Sequence, residues 1–367
     1  MFITISKSLI PLVLLSWMLL NASDLKERIP DVPADAKAPV DVVFDRSLTR
    51  IINATFRDQF DLANHITDSL LKEHPDHPAA YFFKAAVLQG VMSTYRINDF
   101  QKEVESNIQK SIDTGTLQLT KSSDPWLHFY LGGAYGYRGF NRFRKLNYIG
   151  AYRDAGRGIG HFEQALQKDS TLYDVYLGLG SYYYWRTAKS KFLRIIAFWI
   201  PDKRDLGLEQ LKFSIAHGRY SMYDGIYVLL AAYYDHGDYD PGLQLTLEGI
   251  RQKEGPNLTD LYFKGKFLAK KQQWAEVKVI FEQIYEKIKD HQYQSIGYQV
   301  ECKYWIARVL SEQGKDQEAL QLAREAISLS QQRNSEAEIE GPLDSFDEIK
   351  KDLEKLHEDL SKRLSGK

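Results

Sequence analysis

A chain of 367 residues is long enough for two or three ordinary domains or for one extended repeat array. Its 48 basic and 49 acidic side chains leave a formal charge of -1, so no global field draws in nucleic acid. The single cysteine, Cys302, excludes an intrachain disulfide and any cysteine-built zinc or iron–sulfur site; just before Tyr304-Trp305-Ile306 it reads as a small buried hydrophobe.

Residues 1–22 read as a secretory signal peptide. Lys7 is the only early charge, Leu9 to Leu20 is apolar apart from breaks at Pro11 and Ser16, and Asn21-Ala22-Ser23 offers small residues for cleavage. The apolar run is short for a spanning helix, and the alternative is an uncleaved N-terminal anchor. Either reading exports the body of the chain to a bacterial periplasm or envelope. Residues 23–42, with Pro30, Pro33 and Pro39, read as a linker.

From 43 to 331 the sequence repeats itself. Ala63, Thr67 and Leu70 fall on one helical face ahead of Pro75. Tyr81-Phe82-Phe83-Lys84-Ala85 opens a helix that the pattern carries to near Ile112. Leu131-Gly132-Gly133-Ala134-Tyr135 and Leu179-Gly180-Ser181-Tyr182-Tyr183 share the form Leu-Gly-x-x-Tyr, and each is answered downstream by a small, a bulky and a small residue. These are Gly158, Phe162 and Ala165, then Gly207, Leu211 and Ser214. Gly207, Gly242 and Val277 follow at steps of 35, and the last unit gives Ala319, Ala323 and Ala326 after Gly314. Small residues at steps of three and four let two helices approach closely.

This grammar resembles the tetratricopeptide repeat family, whose period is about 34. The resemblance implies an all-α, right-handed α-solenoid of about seven helix-turn-helix repeats with a C-terminal capping helix. It also implies a non-catalytic protein–protein interaction scaffold whose groove takes a peptide or protein partner. Tyr81, His128, Tyr135, Tyr176, Tyr183 and Tyr262 are the first-helix residues expected to face such a groove.

The two Leu-Gly-x-x-Tyr units carry about fourteen extra residues over the roughly nine of a regular gap, near 136–157 and 184–206. This detail is similar to a subgroup of repeat proteins that includes the outer-mitochondrial-membrane/TTC39-like proteins. The first insertion interleaves Arg142, Arg144 and Lys145 with Phe140, Phe143 and Tyr148, and Asp154 is its only acid. It reads either as a contact for an anionic partner or as an amphipathic helix with aromatics packed inward and arginines in water. The second brings Lys189, Lys191, Phe192, Arg194, Ile195, Phe198 and Trp199 together, either as a membrane-interface element or as filling between helices.

Residues 343–364 form a last amphipathic helix with Phe346, Ile349, Leu353, Leu356, Leu360 and Leu364 on one face, as a terminal cap or a short coiled-coil seam. Nothing in the spacing assembles a catalytic set. His74 and His77 flank Pro75 as turn residues, Asp238 is placed to cap the helix after it, and Gly156 to Gly160 lacks the lysine and hydroxyl of a phosphate loop. No cofactor, metal, nucleic acid or small-molecule substrate is expected. The remaining functional alternatives are a membrane-surface assembly factor for envelope proteins and an accessory subunit of an envelope enzyme or transport system.

Overall fold

The computed structural model describes residue 29 and residues 34–39, 42–188 and 201–366. Fifteen α-helices occur in these residues. In chain order they are α1 (Val42–Thr55), α2 (Phe60–Glu73), α3 (Pro78–Tyr95), α4 (Gln101–Leu119), α5 (Pro125–Arg144), α6 (Tyr148–Lys168), α7 (Val175–Ala188) and α8 (Arg204–His217). Then come α9 (Met222–His236), α10 (Tyr239–Gln252), α11 (Leu258–Lys270), α12 (Trp274–Ile288), α13 (Ile296–Glu312), α14 (Asp316–Ser330) and α15 (Phe346–Ser365). The all-α, helix-turn-helix grammar is therefore present: seven successive pairs and a final single helix.

Local chemistry sets the helix ends. Asp124 caps α5 by accepting from the Trp126 N–H, with Pro125 at the first helical position. Asn257 and Asp260 close a reciprocal capping box on α11, and Ser345 and Glu348 do the same on α15. The turns inside the later pairs need one left-handed residue each. Gly237 and Gly314 supply it, and Gln272 takes the same role at φ 58. Asp238 occupies the N-cap position of α10, but its carboxylate bonds His236 Nδ1 at 3.0 Å and makes no side-chain cap.

The chain divides into two compact units. The first holds the residues up to Asp45, His74–Phe82 and Asn107–Leu229. The second holds Arg46–Glu73, Phe83–Ser106 and Leu230–Lys367.

In the first unit, paired helices meet through glycine. A Cβ on Gly158 would stand 3.0 Å from the Gly132 carbonyl oxygen, and one on Gly180 would stand 2.8 Å from that of Gly207. The same device thus closes α5 on α6 and α7 on α8. Phe162 fills the space left by two further missing side chains, at Gly132 and Gly178. His74 and His77 are packed rather than simply solvated: both rings lie on Phe44, with centroids 5.1 and 4.2 Å away.

In the second unit, α3 and α4 are separate helices, where the sequence pattern carries one helix on to Ile112. Arg96 breaks the run by adopting φ 57. The strand-like segment that follows pairs with a distant one: Asn98 N–H donates to the Ala337 carbonyl at 2.8 Å, and Ile339 N–H to that of Arg96 at 3.1 Å. Partners that far away in sequence leave no periodic trace. The apolar stripe of α15 lies on the chain's own α13 and α14, with Ile349, Leu353, Leu356 and Leu360 buried. That burial accounts for the stripe as a terminal cap and leaves no free seam. Cys302 is fully buried.

Candidate functional site

The extra residues of the first long unit form no separate element. They lengthen α5 to 20 and α6 to 21 residues, and only Lys145 to Asn147 turn between them. Leu146 takes φ 59 at the apex, and Asn147 caps α6 by accepting from the Gly150 N–H.

The side chains of this hairpin point the opposite way from the amphipathic reading. Asp154 is fully buried, and three arginines turn inward to it. Arg138 grips it with two bonds of 2.8 Å, Arg142 Nη1 lies 2.7 Å from it, and Arg157 stands at 3.8 Å. Arg138 also donates to Gln109 on α4 at 2.8 Å and lies over the Tyr135 ring. Phe140, Phe143 and Tyr148 are left in solvent instead. A buried carboxylate that collects planar, bidentate donors outweighs the burial of these aromatics. We expect Asp154→Ala to lower stability by about 2–3 kcal/mol, since it strips charged hydrogen bonds from partly buried guanidinium groups. Urea unfolding of the two proteins measures this directly.

The predicted groove residues separate into two kinds. His128, Tyr176, Tyr183 and Tyr262 are buried. Tyr262 lies beneath the Arg96 guanidinium, 4.7 Å from its ring centre, and its hydroxyl donates to Glu301 at 3.2 Å. The chain's own loop between α3 and α4 therefore covers that part of α11. Tyr81 and Tyr135 remain partly accessible. Tyr135 stacks on His161 at 5.5 Å, and His161 Nδ1 meets His128 Nδ1 at 3.0 Å. Burial, together with the facing His128, holds the His161 imidazole down at about 4, so it is neutral near pH 7. Arg142 turns in to Asp154, and Arg144 and Lys145 stand at the end of α5 and the turn after it. Lys189, Lys191, Phe192, Arg194, Ile195, Phe198 and Trp199 lie outside the described residues.

A different set comes together on one face of α5. Gly133, Tyr137 and Asn141 follow at steps of four, so they stack along that face. Phe82 of α3 reaches to 2.8 Å from where a Gly133 Cβ would be, and its ring meets that of Tyr137 edge-on at 5.5 Å. Asp224, in the first turn of α9, is open to solvent yet surrounded by enough protein to push its carboxyl up to about 6. Its charge reaches Tyr137, whose hydroxyl burial already pushes up. Among the described residues nothing lies within 4 Å of where a Gly136 Cβ would be. This face thus brings aromatic rings together with an accessible acid.

Asn141 is only 4% exposed, and neither its Oδ1 nor its Nδ2 has a hydrogen-bond partner. Buried carboxamides are almost always satisfied, so one with both atoms unpaired calls for a functional explanation. The sequence does carry a faint signal of it: an asparagine inside a long helix, where its intrinsic propensity is poor, four residues after a tyrosine.

Among the described residues no group of three or more His, Cys, Asp or Glu could hold a metal ion. No described helix is long and apolar enough to cross a membrane.

No protein-family model matches the chain, and no curated protein does. Solved structures similar to it include yeast Tom70, at 14% identity and a TM-score of 0.40 over 96% of this chain and 70% of that one. NprR in complex with its cognate peptide NprX is 12% identical, with a TM-score of 0.42 over 89% and 90% of the two chains. The C-terminal part of a TPR repeat-containing protein from Cytophaga hutchinsonii is 14% identical, with a TM-score of 0.38 over 80% and 97%.

Proposed function

We propose that this chain is a non-catalytic binding scaffold of the cell envelope, taking a peptide or protein partner against the α5 face that carries Tyr137 and Asn141. The unpaired carboxamide of Asn141 is the observation that carries this reading. A carboxamide offers one acceptor and two donors, the complement of an extended peptide backbone. Beside it, the Phe82 and Tyr137 rings offer apolar contact, and Asp224 offers a charge for a basic side chain or an amino terminus. A preformed helical surface of this kind binds at low ordering cost. Export rests on the apolar segment of residues 9–20, which lies outside the described residues.

The test uses Asn141→Leu. In the free protein this change removes two unsatisfied buried atoms and should raise stability by about 1 kcal/mol. Crosslinking capture of the partner from the native envelope should be lost with it. Stability gained while binding is lost is the signature of a residue held for function. A destabilised Asn141→Leu protein, or one that captures the same partner as the wild type, sinks the proposal.

A further inference from the structure

Ten large apolar side chains are exposed among the described residues, and five of them fall within ten positions at the α5–α6 tip. They are Phe140 (54%), Phe143 (45%), Leu146 (71%), Tyr148 (55%) and Ile149 (63%). Scattered exposed apolar residues are ordinary; a contiguous group of this size marks a contact surface.

The charge of the same hairpin is equally lopsided. From 136 to 157 the chain has Arg138, Arg142, Arg144, Lys145, Arg153 and Arg157 against Asp154 alone. That acid is buried beneath three of the arginines, so it offers nothing at the surface. The chain as a whole is balanced at -1, so the positive charge of this hairpin is a local excess. The Asp154 clamp, with its tie to Gln109, also fixes the two long helices to each other and to α4.

We infer that the α5–α6 tip is a membrane-docking element that inserts its apolar apex into the interface of an anionic lipid surface. The side chain at the turn itself, Leu146, is the most exposed of the five, which makes the apolar surface a convex wedge and not a groove. A wedge suits a deformable apolar phase. Arg144, Lys145 and Arg153 sit within a turn or two of the apex, at the depth of lipid phosphates when the apex is in the acyl boundary. Tyr148 and the two phenylalanines are the aromatic types favoured at that boundary. This site is separate from the Asn141 face proposed for the protein partner and does not depend on it.

The experiment uses the full chain with Leu146→Cys carrying an environment-sensitive fluorophore. The native thiol, Cys302, is fully buried and stays unlabelled, so the tip alone reports. Vesicles of equal parts phosphatidylcholine and phosphatidylglycerol should shift the emission to the blue, and phosphatidylcholine alone should not. Adding Arg144→Glu and Lys145→Glu should weaken the response about tenfold or more, from the loss and reversal of two near-surface charges. A label at Leu247→Cys, an exposed apolar position on α10, should not respond. No shift at the tip, an equal shift at Leu247→Cys, or a shift produced by poly-glutamate in place of vesicles would each overturn the inference. The last of these would assign the tip to an acidic protein. Asn141→Leu should leave the vesicle response unchanged, which keeps the two sites experimentally apart.

Discussion

Replacing Glu301 by Leu should cost about 3–5 kcal/mol, the expected price of removing one partner from a buried ion cluster. Glu301 is buried between two buried cations of the second unit. Arg96 Nη1 is 2.6 Å from its Oε2, and Lys266 Nζ is 3.6 Å from its Oε1. The Trp305 indole N–H and the Tyr262 hydroxyl donate to the same carboxylate at 3.3 and 3.2 Å. Arg96 is held further by lying 3.7 Å over the centre of the Tyr298 ring. Lys266 keeps Asp344, but Arg96 would lose its only carboxylate within bonding distance in this cluster. A charge left alone in a place without water is the costly outcome, more than the lost attraction itself. The double change Arg96→Met with Glu301→Leu should therefore recover much of the loss, because it leaves no unpaired charge. Denaturant unfolding of the two variants separates these outcomes. A single variant within about 1 kcal/mol of wild type would show that the cluster contributes little.

The same cluster predicts an acid dependence. Burial alone would raise the Glu301 carboxyl, but Arg96 and Lys266 more than offset it and hold the group below its ordinary 4.5. The folded protein thus keeps its proton off at a pH where the unfolded chain has taken one up. The contribution is fully present above about 4.5 and is lost as pH falls through that value and below it. The Glu301→Leu protein should lose this component and show a flatter stability profile in that window.

Gly207→Val should be strongly disruptive in the first unit, costing about 3 kcal/mol or more. A Cβ at Gly207 would stand 2.7 Å from the Tyr184 backbone nitrogen and 2.8 Å from the Gly180 carbonyl oxygen. Backbone atoms inside a helix cannot turn aside as a side chain can, so α7 and α8 would have to separate. Gly156→Ala supplies the opposite case on α6. Nothing lies within 4 Å of its would-be Cβ, and the position is helical, so the change should stabilise by about 0.5–1 kcal/mol. Thermal unfolding of both variants reads the contrast. Equal effects of the two changes would refute the claim that contact geometry, and not helix propensity, sets the value of each glycine.

Spacing along the chain is enough to identify a series of helix pairs. Leu131-Gly132 and Leu179-Gly180, answered by Gly158 and Gly207, mark where helices touch, because close approach needs a missing side chain at a fixed spacing. The cap read from the sequence, Asp238, holds the N-cap position of α10, but its carboxylate goes to His236 instead. Tertiary structure decided everything whose partner is remote. Arg96 ends a helix and enters a cage made by Tyr262, Tyr298 and Glu301. Asp154 draws in three arginines and leaves the aromatics of the hairpin in water, reversing the orientation that amphipathic patterning implies. Asn141 is left with no hydrogen-bond partner, which the sequence signals only through an asparagine placed inside a long helix. Periodicity records which residues share a face of one helix; it does not record what the fold brings opposite that face, and that decides which groups are paired, covered or left free to bind.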